Sequence, residues 1–418
     1  MTFLLGTRRR NANRSALIME GAFLLLFPGF FFYHTLLGLG LIHAVLGGYF
    51  AVIALLVFLP LAWIYVRQAF ADQRYFGKTD LYFMLYLLYF AVICLVNAVA
   101  GANPAIVGTH VLALVYSIDI FIIFKGIDFD ARRFRTLALC SLAAMSAIVF
   151  WFSVDGSFYL GALGIAKDPD SVATYQGFSR SYLFTLVPLL AFTDKRRWRV
   201  VLYCLAAPTL FVNTARSEFA AALLLIPVIE FYFAKHKVTL FIFSAFLIFL
   251  VNANLDLILQ QLPSNRTLEL LDLSQSTSAN LRHHLSEAAL RTIVDNPLLG
   301  NYASYASGYY AHNILSAWVD LGLFGIVYLL ALLFIPAIQL ILRGYFNKEK
   351  SDQFIFAFAL LSITVLLLFG SHYFTDMLIG ATLGAYARYR NGHIHGKDRS
   401  PDVGPSTQRP AHLHQAMP

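Results

Sequence analysis

Six side chains from residue 180 onwards have the types needed to hold an anion beside a reacting hydroxyl group: Arg180, Arg216, Arg282, Arg291, His312 and His372. A guanidinium presents its donors in a planar fork that fits a phosphate or carboxylate. An imidazole, with an unperturbed pKa of about 6.5, suits removal of a proton from a hydroxyl. Asn313, beside His312, would orient the imidazole or an acceptor. Each has an ordinary reading too. Arg291 follows Glu287 at the four-residue spacing of a surface pair on a helix. Arg216 stands two residues from Glu218, which do not face each other on a helix, so it would otherwise be a snorkelling anchor. Arg282 has Ser278 and Ser286 at i−4 and i+4 and would otherwise sit on a solvated face, and Arg180 is similar. His312 would otherwise cap the helix after it, and His372 with Asp376 would otherwise only shape a turn.

The elements that must position these residues are membrane helices. Of 418 residues, 59% are hydrophobic and 13% charged, against about 25% charged in soluble domains; mean hydropathy is +0.66. Runs of roughly 18 apolar residues, enough to cross a bilayer, recur throughout. The expected fold is all-α, a polytopic membrane protein of about 12 spans, near 16–36, 41–66, 80–100, 105–124, 136–154, 179–193, 200–213, 217–234, 238–257, 313–342, 353–370 and 376–388. Those near 200–213 and 376–388 are the shortest. The first run lacks a cleavage site and leads into further spans, so a signal peptide is not expected. Residues 1–257 would hold spans one to nine, 258–312 a large outer loop with an amphipathic helix, 313–390 the last three spans, and 391–418 a disordered tail.

Lysine and arginine cluster at the N-terminus, in the loops at 67–78, 125–135, 195–199, 235–237 and 343–350, and after Arg388. By the positive-inside rule these are cytoplasmic, with both termini. The net charge of +8 is therefore explained without nucleic acid. Cys94, Cys140 and Cys204 fall in apolar runs and imply neither disulfides nor a metal site. The long polar stretch Ser278–Gly325 then faces outward, as do the arginines singled out above, where the insertion rule does not call for them.

Other chemistry is weaker. His283 and His284 are adjacent and point different ways on a helix. No HExxH, glycine-rich phosphate loop or DxD-like pair is present, and no metal or cofactor is expected; Asp295 and Asp320 are the carboxylates a magnesium ion would use. Asp119 lies deep in a span, where a carboxylate is costly, as a relay or half of a buried pair. His110 and Glu20 read as structural. No internal repeat is evident.

The runs HNILSAWVDLGLFG (His312–Gly325), the arginine helix ending in NPLLG (Asn296–Gly300) and NTARSEFAAALL (Asn213–Leu224) resemble signature segments of the O-antigen ligase and O-antigen polymerase superfamily. The resemblance spans about 180–325 and departs at Ala215, where a serine is common. It implies a glycosyltransferase of the bacterial inner membrane whose site faces the periplasm. The donor would be a glycan on undecaprenyl diphosphate. The acceptor would be lipid A-core or a lipid-linked repeat unit, with other polysaccharide-assembly membrane proteins as partners. Arg216 and Arg282, and less closely Arg180, match the family's arginines, and His312 its histidine. The expected mechanism is metal-independent and inverting: the arginines hold the diphosphate, with Arg291 and His372 lining the site, and His312 is the base. A flippase or transporter of lipid-linked glycan is the competing class, for which Asp119 speaks, and a non-catalytic scaffold of an export complex is a third.

Overall fold

A computed structural model of the chain describes residues 14–43, 48–158, 175–254, 267–268, 277–306, 308–346 and 350–397. The basic stretch Arg8–Arg10, most of the loop at 155–178, much of 258–312 and the tail beyond 397 lie outside the described residues.

Among the described residues the chain is helical and has no strand; an isolated bridge closes the turn Val154–Ser157. The helices are α1 (Arg14–Gly38), α2 (Tyr49–Ala71), α3 (Lys78–Val99), α4 (Pro104–Gly126), α5 (Arg132–Trp151), α6 (Tyr175–Ala191), α7 (Arg196–Val212), α8 (Arg216–Phe233), α9 (Lys237–Ala253), α10 (Thr277–Asp295), α11 (Leu315–Leu340), α12 (Asp352–Gly370) and α13 (Leu378–Lys397). Seven of them, α1 to α5, α11 and α12, are long and apolar enough to cross a membrane. Large apolar side chains such as Leu59, Trp63 and Phe241 point outward, as a surface solvated by lipid requires.

Local chemistry sets the helix ends. Asn103 accepts from the Ala105 amide at 3.0 Å with Pro104 at the first helical position, which fixes the start of α4. Pro28 sits in a π-helical turn, Leu25–Gly29, within α1, which re-aims the helix without ending it. Two expected ends move. The helix expected from 41 starts at Tyr49, after Gly48 at φ +103°. The final helix does not give way to a tail at 391 but runs to Lys397, tied down by Asn391, whose Nδ2 donates to the Tyr75 carbonyl at 3.0 Å.

Aromatic packing builds the core. Phe27 stacks on Phe184 at 4.4 Å, Phe23 meets Phe134 edge-on at 5.2 Å, and Phe129 lies 4.7 Å from Phe356, joining α1, α5, α6 and α12. Helices α4 and α13 come closest: a Cβ on Gly380 would stand 2.6 Å from the Ser117 carbonyl oxygen, and one on Gly384 2.5 Å from that of Phe121. Small residues four apart are how apolar helices approach without a hydrophobic driving force between them.

Some cations of the basic loops turn inward. Lys125 pairs with Asp80, which also accepts from Tyr65 Oη at 2.7 Å. Arg199 grips Glu230 at 2.7 and 3.2 Å and donates to the Thr193 carbonyl at 2.9 Å. Removing one partner of such a pair leaves a buried ion uncompensated.

Helix α11 is broken. Gly322 has φ +69° and ψ −173° inside it. The NPLLG turn fits into the break: Asn301 N donates to the Val319 carbonyl at 2.7 Å, Leu323 N donates to the Leu298 carbonyl at 3.1 Å, and Tyr89 Oη donates to the Leu321 carbonyl at 2.7 Å. These bonds replace those the helix loses at the break. The two glycine-bearing motifs are thus one backbone joint. Gly300, at φ +69°, is held so closely that a Cβ would stand 2.4 Å from the Val319 oxygen.

Candidate active site

The joint places the polar segment after α10 over one end of the bundle. Asp320, next to the break, accepts from the Ala303 amide at 2.8 Å and from Tyr305 Oη at 3.0 Å, and also bonds Tyr373. His110 spans Tyr302 Oη at 2.8 Å and Tyr373 Oη at 2.9 Å. Asp320 thus accepts three hydrogen bonds from the protein and fastens the tyrosine-rich turn. His110 thereby bridges two tyrosines, and Glu20 lies 3.7 Å from Arg133.

Beneath this turn lies a cavity of about 330 Å³. Its walls come from the first turns of α4 (Thr109, His110), the start of α6 (Gln176, Arg180), the segment before α11 (Tyr305, Tyr310, His312) and the turn between α12 and α13 (His372, Tyr373, Asp376). All of these are segments that the charge pattern sets on the side opposite the basic loops. Arg180, His312 and His372, far apart in sequence, line one space.

The cavity floor is an ionic cluster. Arg180 Nη2 lies 3.0 Å from Asp376 and 4.0 Å from Glu218; His372 lies 2.7 Å from Asp376 through Nδ1 and 3.3 Å from Glu218 through Nε2. Glu218 and His372 are buried. Arg180 Nε is also buried and has no hydrogen-bond partner among the described residues. Burial works against charge on His372, but Asp376 and Glu218 outweigh it and raise the imidazolium to about 9, with Arg180 opposing. Since this folded-state value stands above the unfolded one of about 6.5, His372 contributes stability that is full below about pH 6.5 and fades as pH rises through about 9. Stability read from thermal unfolding should therefore fall from pH 6.5 to 9.5 by on the order of 3 kcal/mol, whereas His372→Gln should melt lower and flat across that window. A wild-type midpoint that does not move would remove the imidazolium from the cluster.

His312 is the opposite case. Burial first, then the Arg282 guanidinium and His372, push its imidazole down to about 4, so it is neutral near pH 7. It is half-buried, and its ring lies 4.6 Å from that of Tyr310, itself 4.5 Å from Tyr373. The site thus offers an uncharged base in a positive field, beside an aromatic wall.

The other sequence candidates fall differently. Arg282 does not line the cavity, yet its charge reaches both His312 and Tyr310. Arg216 opens α8 two residues before Glu218 and also lies off the cavity wall. Arg291 is exposed and away from the cavity. Its expected partner Glu287 faces His283 and His284 instead, at 3.5 and 3.6 Å. The adjacent histidines therefore converge, contrary to expectation, and with Glu287 form the one metal-sized group among the described residues, outside the cavity. Asn313 is engaged within the protein at both ends of its amide: Nδ2 donates to Ser286 Oγ at 2.9 Å and Oδ1 accepts from Leu315 N at 3.0 Å. It ties α10 to α11 rather than facing an acceptor. Asp119 is fully buried, neither of its oxygens has a hydrogen-bond partner, and it makes no ion pair among the described residues; the buried-pair reading is thereby corrected. Sequence reasoning missed Glu218 as the hub. Its signal was a carboxylate one turn inside an apolar helix, which needs a cation from elsewhere.

No family model, no curated protein and no solved structure matches the chain.

Proposed function

We propose that this protein is a glycosyltransferase of the bacterial inner membrane that moves a glycan from undecaprenyl diphosphate to an acceptor sugar at the periplasmic face, as an O-antigen ligase or a surface-polysaccharide polymerase. On this reading twelve helices cross the membrane, α10 lies in a periplasmic loop, and both termini are cytoplasmic. The observation that carries the proposal is the cavity itself: a neutral histidine and an arginine line one space at the end of the bundle away from the basic loops. The resemblance of the segments around Arg216, Arg282 and His312 supplies the reaction class.

Arg216 and Arg282, with Arg180, hold the donor diphosphate. His312 takes the proton of the acceptor hydroxyl as that oxygen attacks the anomeric carbon. The bond from that carbon to the diphosphate oxygen breaks, the configuration inverts, and the diphosphate leaves with its charge met by the guanidiniums. Preorganised charge of this kind is commonly the largest catalytic contribution. No step is routed through a metal. The aromatic wall of Tyr305, Tyr310 and Tyr373 gives sugar rings a face to lie against.

The test is glycan transfer by the purified protein with lipid-linked donor and acceptor in detergent. Product formation supports the reading, and its absence with an intact fold sinks it. In cells, gene deletion separates the two activities. Polymer that accumulates on the carrier with none on lipid A-core indicates a ligase, and single repeat units left attached indicate a polymerase. Asp119 favours a second reading, transport of the same lipid-linked glycan, which predicts translocation across vesicles without any new glycosidic bond.

A further inference from the structure

A second cavity, of about 450 Å³, opens between α3, α11 and α13 at the other end of the bundle. Its long wall is apolar and comes from successive turns of α11, through Tyr328, Ala331, Leu332 and Ile335, with Leu383 of α13 opposite. Its mouth is cationic. Lys78 opens α3 and Arg390 lies near the end of α13, and both line the cavity. The two chain segments meet there, because Asn391 donates to the Tyr75 carbonyl at 3.0 Å and its Oδ1 would stand 2.8 Å from a Cβ on Gly77.

Neither cation is neutralised. Among the described residues Lys78 and Arg390 make no ion pair. The acid nearest in sequence to Lys78, Asp80, is fully buried and already accepts from Lys125, Tyr65 and the Gly77 amide. Gln339, at the same end of α11, has its oxygen occupied by Tyr386 Oη at 2.5 Å. The cavity thus pairs two unspent positive charges with an apolar trough, which is the complement of an anionic amphiphile. The length agrees. From Gln339 to Tyr328 is eleven residues of α11, roughly 16 Å at the helical rise, close to the ~15 Å of one leaflet's hydrocarbon.

We propose that this cavity binds an anionic phospholipid of the leaflet bordering the basic loops, with its phosphate between Lys78 and Arg390 and one acyl chain along α11. Cationic crevices between membrane helices on the cytoplasmic side recognise lipid head groups in this way. The proposal needs only that the helices sit in a bilayer and is independent of glycosyl transfer.

The test is native mass spectrometry of the full chain in mild detergent, titrated with phosphatidylglycerol or with phosphatidylcholine of identical acyl chains. Phosphatidylglycerol should bind the more tightly. Lys78→Gln with Arg390→Gln, which removes both charges and keeps both side chains polar, should weaken it roughly thirtyfold while leaving phosphatidylcholine unchanged. Ile335→Trp, which fills the apolar wall, should weaken phosphatidylglycerol with both cations intact. Equal binding of the two lipids, or phosphatidylglycerol binding untouched by the double substitution, would overturn the proposal. So would competition by glycerol phosphate at concentrations equal to the lipid's, which would mark a site for free phosphate esters.

Discussion

On the glycosyltransferase reading proposed above, replacing His312 with alanine is expected to slow glycan transfer by roughly 10²- to 10⁴-fold, the usual contribution of a positioned general base, while the lipid-linked donor still binds. The pH profile gives a sharper reading than the loss alone. In the free protein His312 titrates near 4, lowered by burial, Arg282 and His372. A base works deprotonated, so kcat/KM, which reports the free protein, should hold as pH falls and decline only towards pH 4 to 5. A bound diphosphate offsets the Arg282 charge and raises the imidazole, so the acid limb of kcat should sit at higher pH than that of kcat/KM. His312→Ala should lose both limbs. Acid limbs that persist in His312→Ala, or a variant with wild-type rate, would take the base away from His312.

Substitution of Gly322 by valine should abolish assembly of the site. Its φ of +69° with ψ of −173° is a region essentially restricted to glycine, costing about 1–3 kcal/mol for another residue. A Cβ would also meet the Leu298 oxygen at 2.4 Å and the Leu299 carbonyl carbon at 2.7 Å, and neither can give way without opening the joint. Together the loss should exceed about 3 kcal/mol, read as a lowered melting temperature and as rapid proteolysis of the segment between α10 and α11. Gly308→Ala is the matched control. It shares a positive φ, +85°, but a Cβ there has open space, so about 1 kcal/mol is expected. If Gly322→Val and Gly308→Ala behave alike, backbone strain alone matters and the joint does not hold the segment in place.

The sequence made some of this legible and hid the rest for physical reasons. Hydropathy is a running sum along the chain, so it found most of the helices to within a few residues, while the start of α2 and the end of α13 fell outside that margin. It says nothing about which helix meets which. The fit of Gly380 and Gly384 against the backbone of α4 depends on three dimensions. Gly322 was invisible as a break, because a glycine in a long apolar run reads as continuous helix. Among the arginines, the family resemblance ranked Arg216 above Arg180. The order reverses at the cavity wall, since Arg180 is held by Asp376 of a turn nearly two hundred residues away. Glu218 was weighed only against its neighbour Arg216, although its partners come from α6 and from the turn before α13. Lys125 and Arg199 counted as loop charges, yet each also closes a buried pair.

The cavity floor has one more consequence. Two carboxylates, an arginine and a protonated histidine sum to no net charge, so the floor is an internal salt rather than a cationic patch. On the proposed reading, an arriving diphosphate is not drawn into a well of bare positive charge there; it enters by exchange, with the Arg180 guanidinium turning part of its fork from Asp376 to the ligand. When the product departs, Asp376 reclaims it. Neither state strands a buried ion, and the grip on the spent carrier stays loose enough for the next donor to enter.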